Sequence, residues 1–549
     1  MIKKTVALLG FLSCGSFFVS QAQEKQDYTS KVPQYKFSND EKKQLKELES
    51  NPLLKRFAES RKELAKDPHR PIYHFTSPES RLNDPNGLSF WNGKWHLFYQ
   101  GYPPEDTRQH WGHAISDDLI NWKDLPYAIY PNPERASFSG AVIIEKDRAI
   151  AMYHGTTLGN IVAVSKDPLL LNWEKLTGEA VIPLKSDKKP FPPAIFDPTI
   201  WKKGDYYYSL SAGRENMRPS NMPFATNYLF RSKDLVNWEY MHKFIEGDRF
   251  TLPGDDGACP YFLPIGDPNG NKYIMAFFSH MTGGQYFLGT YDKEKDKFYV
   301  EKHDKFNFGP VGPGGVHAPS AYPDGKGGVM IIFNMNRGKN TKGWDQIMSL
   351  PRRLILLPNN EIGVEPVNTI ESLRGEKQTL SNIELPANKE IVINEVKGNA
   401  IEINLEVDVK FAQTFEMNVL RSPDKREYTK ISFQKKRGYY AGRRYASIAN
   451  HTTGHASAIT IDNTNSSLAP DAASRPPETA QVVLDDKETV KMRIFIDKSV
   501  VEVFVNGKQC VALRAYPTLS ESIGVSFKSI GNPSLIKALE AYQMNAIKY

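Results

Sequence analysis

The chain has 549 residues, more than one hydrophobic core organises, so two or three domains are expected. Apolar residues make up 40%, charged residues 24% and aromatics 11%, a globular composition with enough rings for sugar stacking as well as for a core. The formal net charge of +7 is interspersed rather than blocked, which argues against a nucleic-acid partner.

At the N-terminus "MIKK" is basic, "TVALLGFLSCGSFFV" is a short apolar run, and "SQA" ends in small residues at Ala22. This is the layout of a signal peptide, residues 1–22, and it implies export to the periplasm, the cell surface or the medium. Cys14 leaves a lipoprotein form open. No further apolar run is long enough to span a membrane. Only Cys259 and Cys510 remain after cleavage, so no disulfide framework is expected. Residues 23–70 read as a charged helical extension. Ser38 or Asn39 is the expected cap of "DEKKQLKELE", and Leu54, Phe57, Arg61 and Leu64 follow at helical spacing. No chemistry is assigned to this extension.

From residue 71 the texture changes to short β-runs separated by Gly, Pro, Asn and Asp. "SDDLINW" at Ser116, "SKDPLLLNW" at Ser165 and "SKDLVNW" at Ser232 recur on the scale of a four-stranded propeller blade. A second repeat is interleaved with it. "NDPNGLSFWNGKWHLFYQ" at Asn83, "FDPTIWKKGDYYYSLSA" at Phe196, "ACPYFLPIGDPNGNKYIMAFFS" at Ala258 and "HAPSAYPDGKGGVMIIFNM" at His317 share one plan. Each runs from a polar or small residue through Pro to a strand, a Gly turn and a second strand. "FSGAVIIEKDRAIAMYHG" at Phe138 fits without the Pro, which makes five units between 71 and 372. Five units predict a closed β-propeller whose first strands ring a channel, with Asp84 and Asp197 at one mouth. From 373 to 549, alternating strands such as "AIEINLEVDVKF" and "VKMRIFIDKSVVEVFVNG" predict an antiparallel β-sandwich. The fold class is therefore all-β, a five-bladed β-propeller followed by a C-terminal β-sandwich.

Carboxylates converging on a channel rimmed with rings suit glycosidic bond cleavage, which needs one carboxylate at the anomeric carbon and one acid at the leaving oxygen. No metal site, P-loop, dinucleotide loop or GxSxG elbow stands out, so neither metal nor cofactor is expected. Taken in order, "NDPNG" with "FYQ", "HWGHAISDDLINW", "FSGA", "DP" at Asp197, "CPYF", "GWDQIMSLPRRL" and "RIFIDKSVVEVFVNG" resemble glycoside hydrolase family 32. The resemblance runs from about Arg70 to the C-terminus. It implies retention of configuration and fructofuranoside substrates. It makes Asp84 the nucleophile and Asp197 the group that stabilises the transition state, and it places Gln100, Trp111 and Ser139 on the sugar pocket; Asn83 joins them as a binding candidate.

Two positions depart from the family pattern. Phe196 stands where an Arg usually precedes the second Asp, and Ala258 stands where a Glu acid/base precedes the Cys. A methyl group delivers no proton. Asp255 and Asp256 lie just upstream, with Asp256 preferred as the substitute acid and His317 in reserve. The expected function is an exported glycosidase acting on an oligo- or polysaccharide fructofuranoside. The alternatives are an arabinofuranosidase-like enzyme on the same scaffold, or a glycan-binding protein that has lost catalysis.

Overall fold

The computed structural model describes residues 27–248, 251–358, 360–438, 456–485 and 487–549; the signal segment 1–22 lies outside the described residues. Two helices lead in, Glu41–Ser50 and Pro52–Leu64. The first is capped by Asp40, whose carboxylate accepts from Lys43 N at 3.0 Å, and not by Ser38 or Asn39. Asp40 is the residue immediately before the helix, so its charge meets the unpaired N–H groups and positive end of the dipole. Asn51 caps the second helix, with Pro52 at the first position, where no N–H is needed. Phe57 is buried edge-on against Tyr127, with ring centroids 5.9 Å apart, and Arg61 grips Asp124 through two hydrogen bonds. Burying that one phenyl ring stabilises the docking by about 1.5–3 kcal/mol.

Five sheets follow in chain order, antiparallel but for the short strand Ile245–Glu246, which pairs in parallel with Lys297–Lys305. Their first strands are Leu82–Trp91, Ser137–Ile144, Ile195–Lys203, Ala258–Pro264 and Val316–Pro323. The first packs against the second and fifth, the third against the second and fourth, and the fourth against the fifth, so the ring closes. The recurring Ser-x-Asp corners are Asx turns: Asp118 accepts from the backbone N–H groups of Ile120 and Asn121, and Asp234 does the same for Val236 and Asn237. Trp122, which follows the first of these corners, is buried, and Trp173 and Trp238 anchor their indoles on Leu170 O and Leu235 O.

Residues from Arg374 onward form two six-stranded antiparallel sheets packed face to face around Ile403, Phe415, Met417, Val503 and Phe527. A buried polar knot ties them to the propeller. The Asp497 carboxylate accepts the backbone N–H groups of Ile72, Tyr73 and His74 at 2.7, 2.8 and 2.8 Å. The His74 ring lies between Asp497 Oδ2 at 2.9 Å and Glu502 Oε1 at 3.2 Å, and Arg352 Nη2 donates to Glu502 Oε2 at 2.9 Å. All four side chains are fully enclosed. Among the described residues, no helix is long and apolar enough to cross a membrane.

Candidate active site

Each first strand slips register against its neighbour at the same level. The slips fall between Leu82 and Pro85, Ser137 and Gly140, Phe196 and Pro198, Ala258 and Tyr261, and Val316 and Pro319. A bulge kinks its strand and re-aims the extra side chain, and it tolerates a proline that a regular central strand would not. The residue-then-Pro repeat in the sequence is therefore a ring of bulges. They gather Asp84, Ser139, Asp197, Cys259 and His317 at one end of the channel. The glycine of "NDPNG" has its own reason. Gly87 has φ +52°, and a Cβ there would stand 2.5 Å from Val142 Cγ2.

Asp84 is the centre of this cluster. Its Oδ2 accepts from Ser139 Oγ at 2.7 Å and from Gln100 Nε2 at 3.3 Å, while its Oδ1 faces His317 Nδ1 at 3.4 Å. Gln100 also donates to Ser139 Oγ at 2.7 Å and accepts from Asn83 Nδ2 at 3.2 Å, so it orients both neighbours. Burial opposes the charge on Asp84. The nearby His317, the Ser139 bond and the field of His280 outweigh it and hold the pKa below the ordinary aspartate value.

Asp197 is treated oppositely. Burial, then the charge of Asp84, pushes its pKa up to about 7, against the bonds it accepts from Cys259. Cys259 Sγ sits between the two carboxylates, 3.6 Å from Asp84 Oδ2 and 3.5 Å from Asp197 Oδ2. Its backbone N–H also donates to Asp197 at 3.3 Å, and the residue holds φ at +49° to do so. Burial and the two neighbouring charges keep the thiol protonated, with a pKa raised well above the usual value.

The structure places three of the sequence candidates as follows. Trp111 is completely buried, donating its indole N–H to Phe138 O at 2.8 Å and packing on Phe98 and Tyr153. It supports the pocket wall from behind and does not line it. Asp255 braces its loop through Leu252 N and Thr282 Oγ1. Asp256 is 1% exposed and bound on one oxygen by two cationic partners, Arg214 Nη2 at 2.7 Å and His280 Nδ1 at 2.6 Å. Its other oxygen accepts His280 N at 3.2 Å. Although burial opposes it, the bonds and charges of His280 and Arg214 hold its pKa below the ordinary value, so Asp256 stands as a carboxylate with no proton to give.

Ala258 itself is fully buried in a small apolar cluster with Cys259, Phe278, Ala318 and the partly buried Phe196. The Arg214 guanidinium lies over the Phe196 ring, 5.5 Å from its centroid, so a cation does reach this wall from the adjacent strand, Tyr206–Met217. His280 and Arg214 were not singled out in the sequence. Each is an isolated residue at or near a strand end, and neither falls in a repeat.

The chain is 28% identical over 521 residues to a levanase of Bacillus subtilis (strain 168), covering 87% of this chain and 71% of that protein. It is 24% identical over 530 residues to a fructan 6-exohydrolase of Beta vulgaris, with 83% and 82% covered. In fold it is similar to the crystal structure of fructan 1-exohydrolase IIa from Cichorium intybus, at a TM-score of 0.71 and 22% identity over 88% of this chain and 98% of that one. It is also similar to exo-inulinase from Aspergillus awamori, at a TM-score of 0.69 and 21% identity over 88% and 99%. The model of the glycosyl hydrolases family 32 N-terminal domain matches residues 74–366, spanning the five-sheet ring and its bulges, and that of the family 32 C-terminal domain matches 369–543 across the paired sheets. The chain belongs to glycosyl hydrolases family 32.

Proposed function

We propose that this family 32 glycosidase hydrolyses fructofuranosyl linkages of an oligo- or polysaccharide, outside the cytoplasm, by a retaining double displacement. Asp84 attacks the anomeric carbon, and Asp197 holds sugar hydroxyls as charge develops on the ring. Gln100 and Ser139 hold Asp84 in line, and Asn83 steadies Gln100. The observation that carries this reading is the Asp84–Cys259–Asp197 bridge. Two carboxylates from different blades meet at one thiol, one kept ionised and the other able to hold a proton near neutral pH. The names of the similar proteins, levanase and fructan exohydrolase, support fructose as the sugar. The Phe196 wall favours a second reading, a furanosidase for a different sugar.

The test is product analysis on sucrose, inulin, levan and arabinan with the wild type and Asp84→Asn. Fructose release by the wild type, falling by several orders of magnitude in the variant, is the expected result. Release from arabinan alone moves the assignment to the second reading, and unchanged turnover in Asp84→Asn removes Asp84 as nucleophile.

A further inference from the structure

We infer that His280 is the proton donor and acceptor of this site, positioned by Asp256, in place of the absent glutamate. The inference rests on the glycosidase reading above. Three observations carry it. First, Asp256 fixes the imidazole in one orientation, taking both its Nδ1 at 2.6 Å and its backbone N–H at 3.2 Å. That leaves Nε2 with no protein partner among the described residues, on a side chain 67% exposed. Second, the ring stands at the rim of the reacting centre. It packs on Phe278, 4.8 Å between centroids, and edge-on to His317, 5.9 Å away, and His317 faces Asp84 directly. Third, the position before Cys259 is Ala258, enclosed in an apolar cluster with Phe196 and Phe278, and Asp256 is committed to its cations.

The titratable and charged groups facing His280 are Asp256, with Arg214 beyond it, His317, Asp84 and Asp197. The Asp256 bond, working against burial and joined by the charges of Asp256, Asp84 and Asp197, raises the imidazole pKa above its usual value. The ring therefore carries a proton where an unpaired histidine would begin to lose it. His317 is placed for a different duty. Its Nδ1 is turned to the nucleophile, and its ring is nearly covered.

The chemistry balances in two steps. As Asp84 forms a bond to the anomeric carbon, the glycosidic C–O bond breaks and its oxygen takes the Nε2 proton, so the leaving alcohol departs neutral. Neutral Nε2 then takes a proton from the water that attacks the same carbon. The sugar is released, Asp84 regains its charge and His280 its proton.

The test compares wild type, His280→Gln, Asp256→Asn and Asp84→Asn on an unactivated fructoside and on an aryl fructofuranoside whose leaving group needs little protonation. His280→Gln should lose ~10²–10⁴-fold on the first and far less on the second. Its basic pH limb should vanish, and that limb should move to lower pH in Asp256→Asn, because the charge that raises the imidazole pKa is gone. A basic limb unchanged in His280→Gln assigns the titration to Asp197 and overturns the proposal. Equal losses on both substrates overturn it too. If Asp84→Asn is inactive while His280→Gln is normal, the glycosidase reading stands and His280 falls. If the wild type turns over neither fructoside, the fructofuranoside reading and the His280 proposal both fall.

Discussion

Asp256 grips His280 at the channel mouth, and Asp497 grips His74 where the propeller meets the sandwich. At the mouth the imidazole side chain is 67% exposed, whereas at the junction it is 0% exposed and its second nitrogen is spent on Glu502. One aspartate–histidine pairing thus has two uses. With a nitrogen left over and water nearby, the pair stations a proton. With both nitrogens bonded and water excluded, it fixes two domains in register and can exchange nothing.

Four substitutions sharpen that contrast. The largest effect is expected at the junction, where Glu502→Ala leaves Arg352 and His74 buried without their shared partner. Breaking a buried pair from one side costs about 3–5 kcal/mol, which thermal unfolding would register as a steep drop in Tm. Asp256→Ala should instead keep most of the Tm and lose turnover. A Tm loss as large at the mouth would erase the distinction.

The next effect concerns Ala258→Glu. The new side chain enters a closed apolar cluster, so overpacking should cost about 1–3 kcal/mol in chemical denaturation. Activity on natural linkages should not rise until Phe278 or Phe196 is made smaller. A gain from the single change would show that the wall yields.

The smallest effect is a pH dependence. Burial opposes the His74 charge, but Asp497 and Glu502 outweigh it and raise its pKa. A raised histidine pKa contributes stability that is fully present below the unfolded value and is lost as pH rises through the folded one. The stability gap between wild type and His74→Gln should therefore narrow from mildly acidic to alkaline pH, and a gap that widens would contradict the charged state of the ring.

Much of the fold was legible because propeller blades repeat and bulges leave prolines in the sequence. The same repeat carried Asp84, Ser139 and Asp197, since a bulge residue is marked by its place in the unit. Trp111 was misplaced for want of such a mark. Every residue from His110 to Ser116 is buried, so alternation could not tell pocket from core. Asp256 was noticed, but its role depends on Arg214 and His280, which are 42 and 24 residues away in sequence and announce nothing by themselves. The cap at Asp40 was missed by one residue, the ordinary uncertainty of a helix end.

The closed wall around Ala258 also bears on descent. One base change can turn an alanine codon into a glutamate codon, so a glutamate at this position is genetically near. Sterically it is shut out by Phe196 and Phe278, which fill the space a carboxyl group would need. The wall acts as a ratchet: gaining that carboxyl needs a smaller neighbour first, and that step alone opens a cavity with nothing gained.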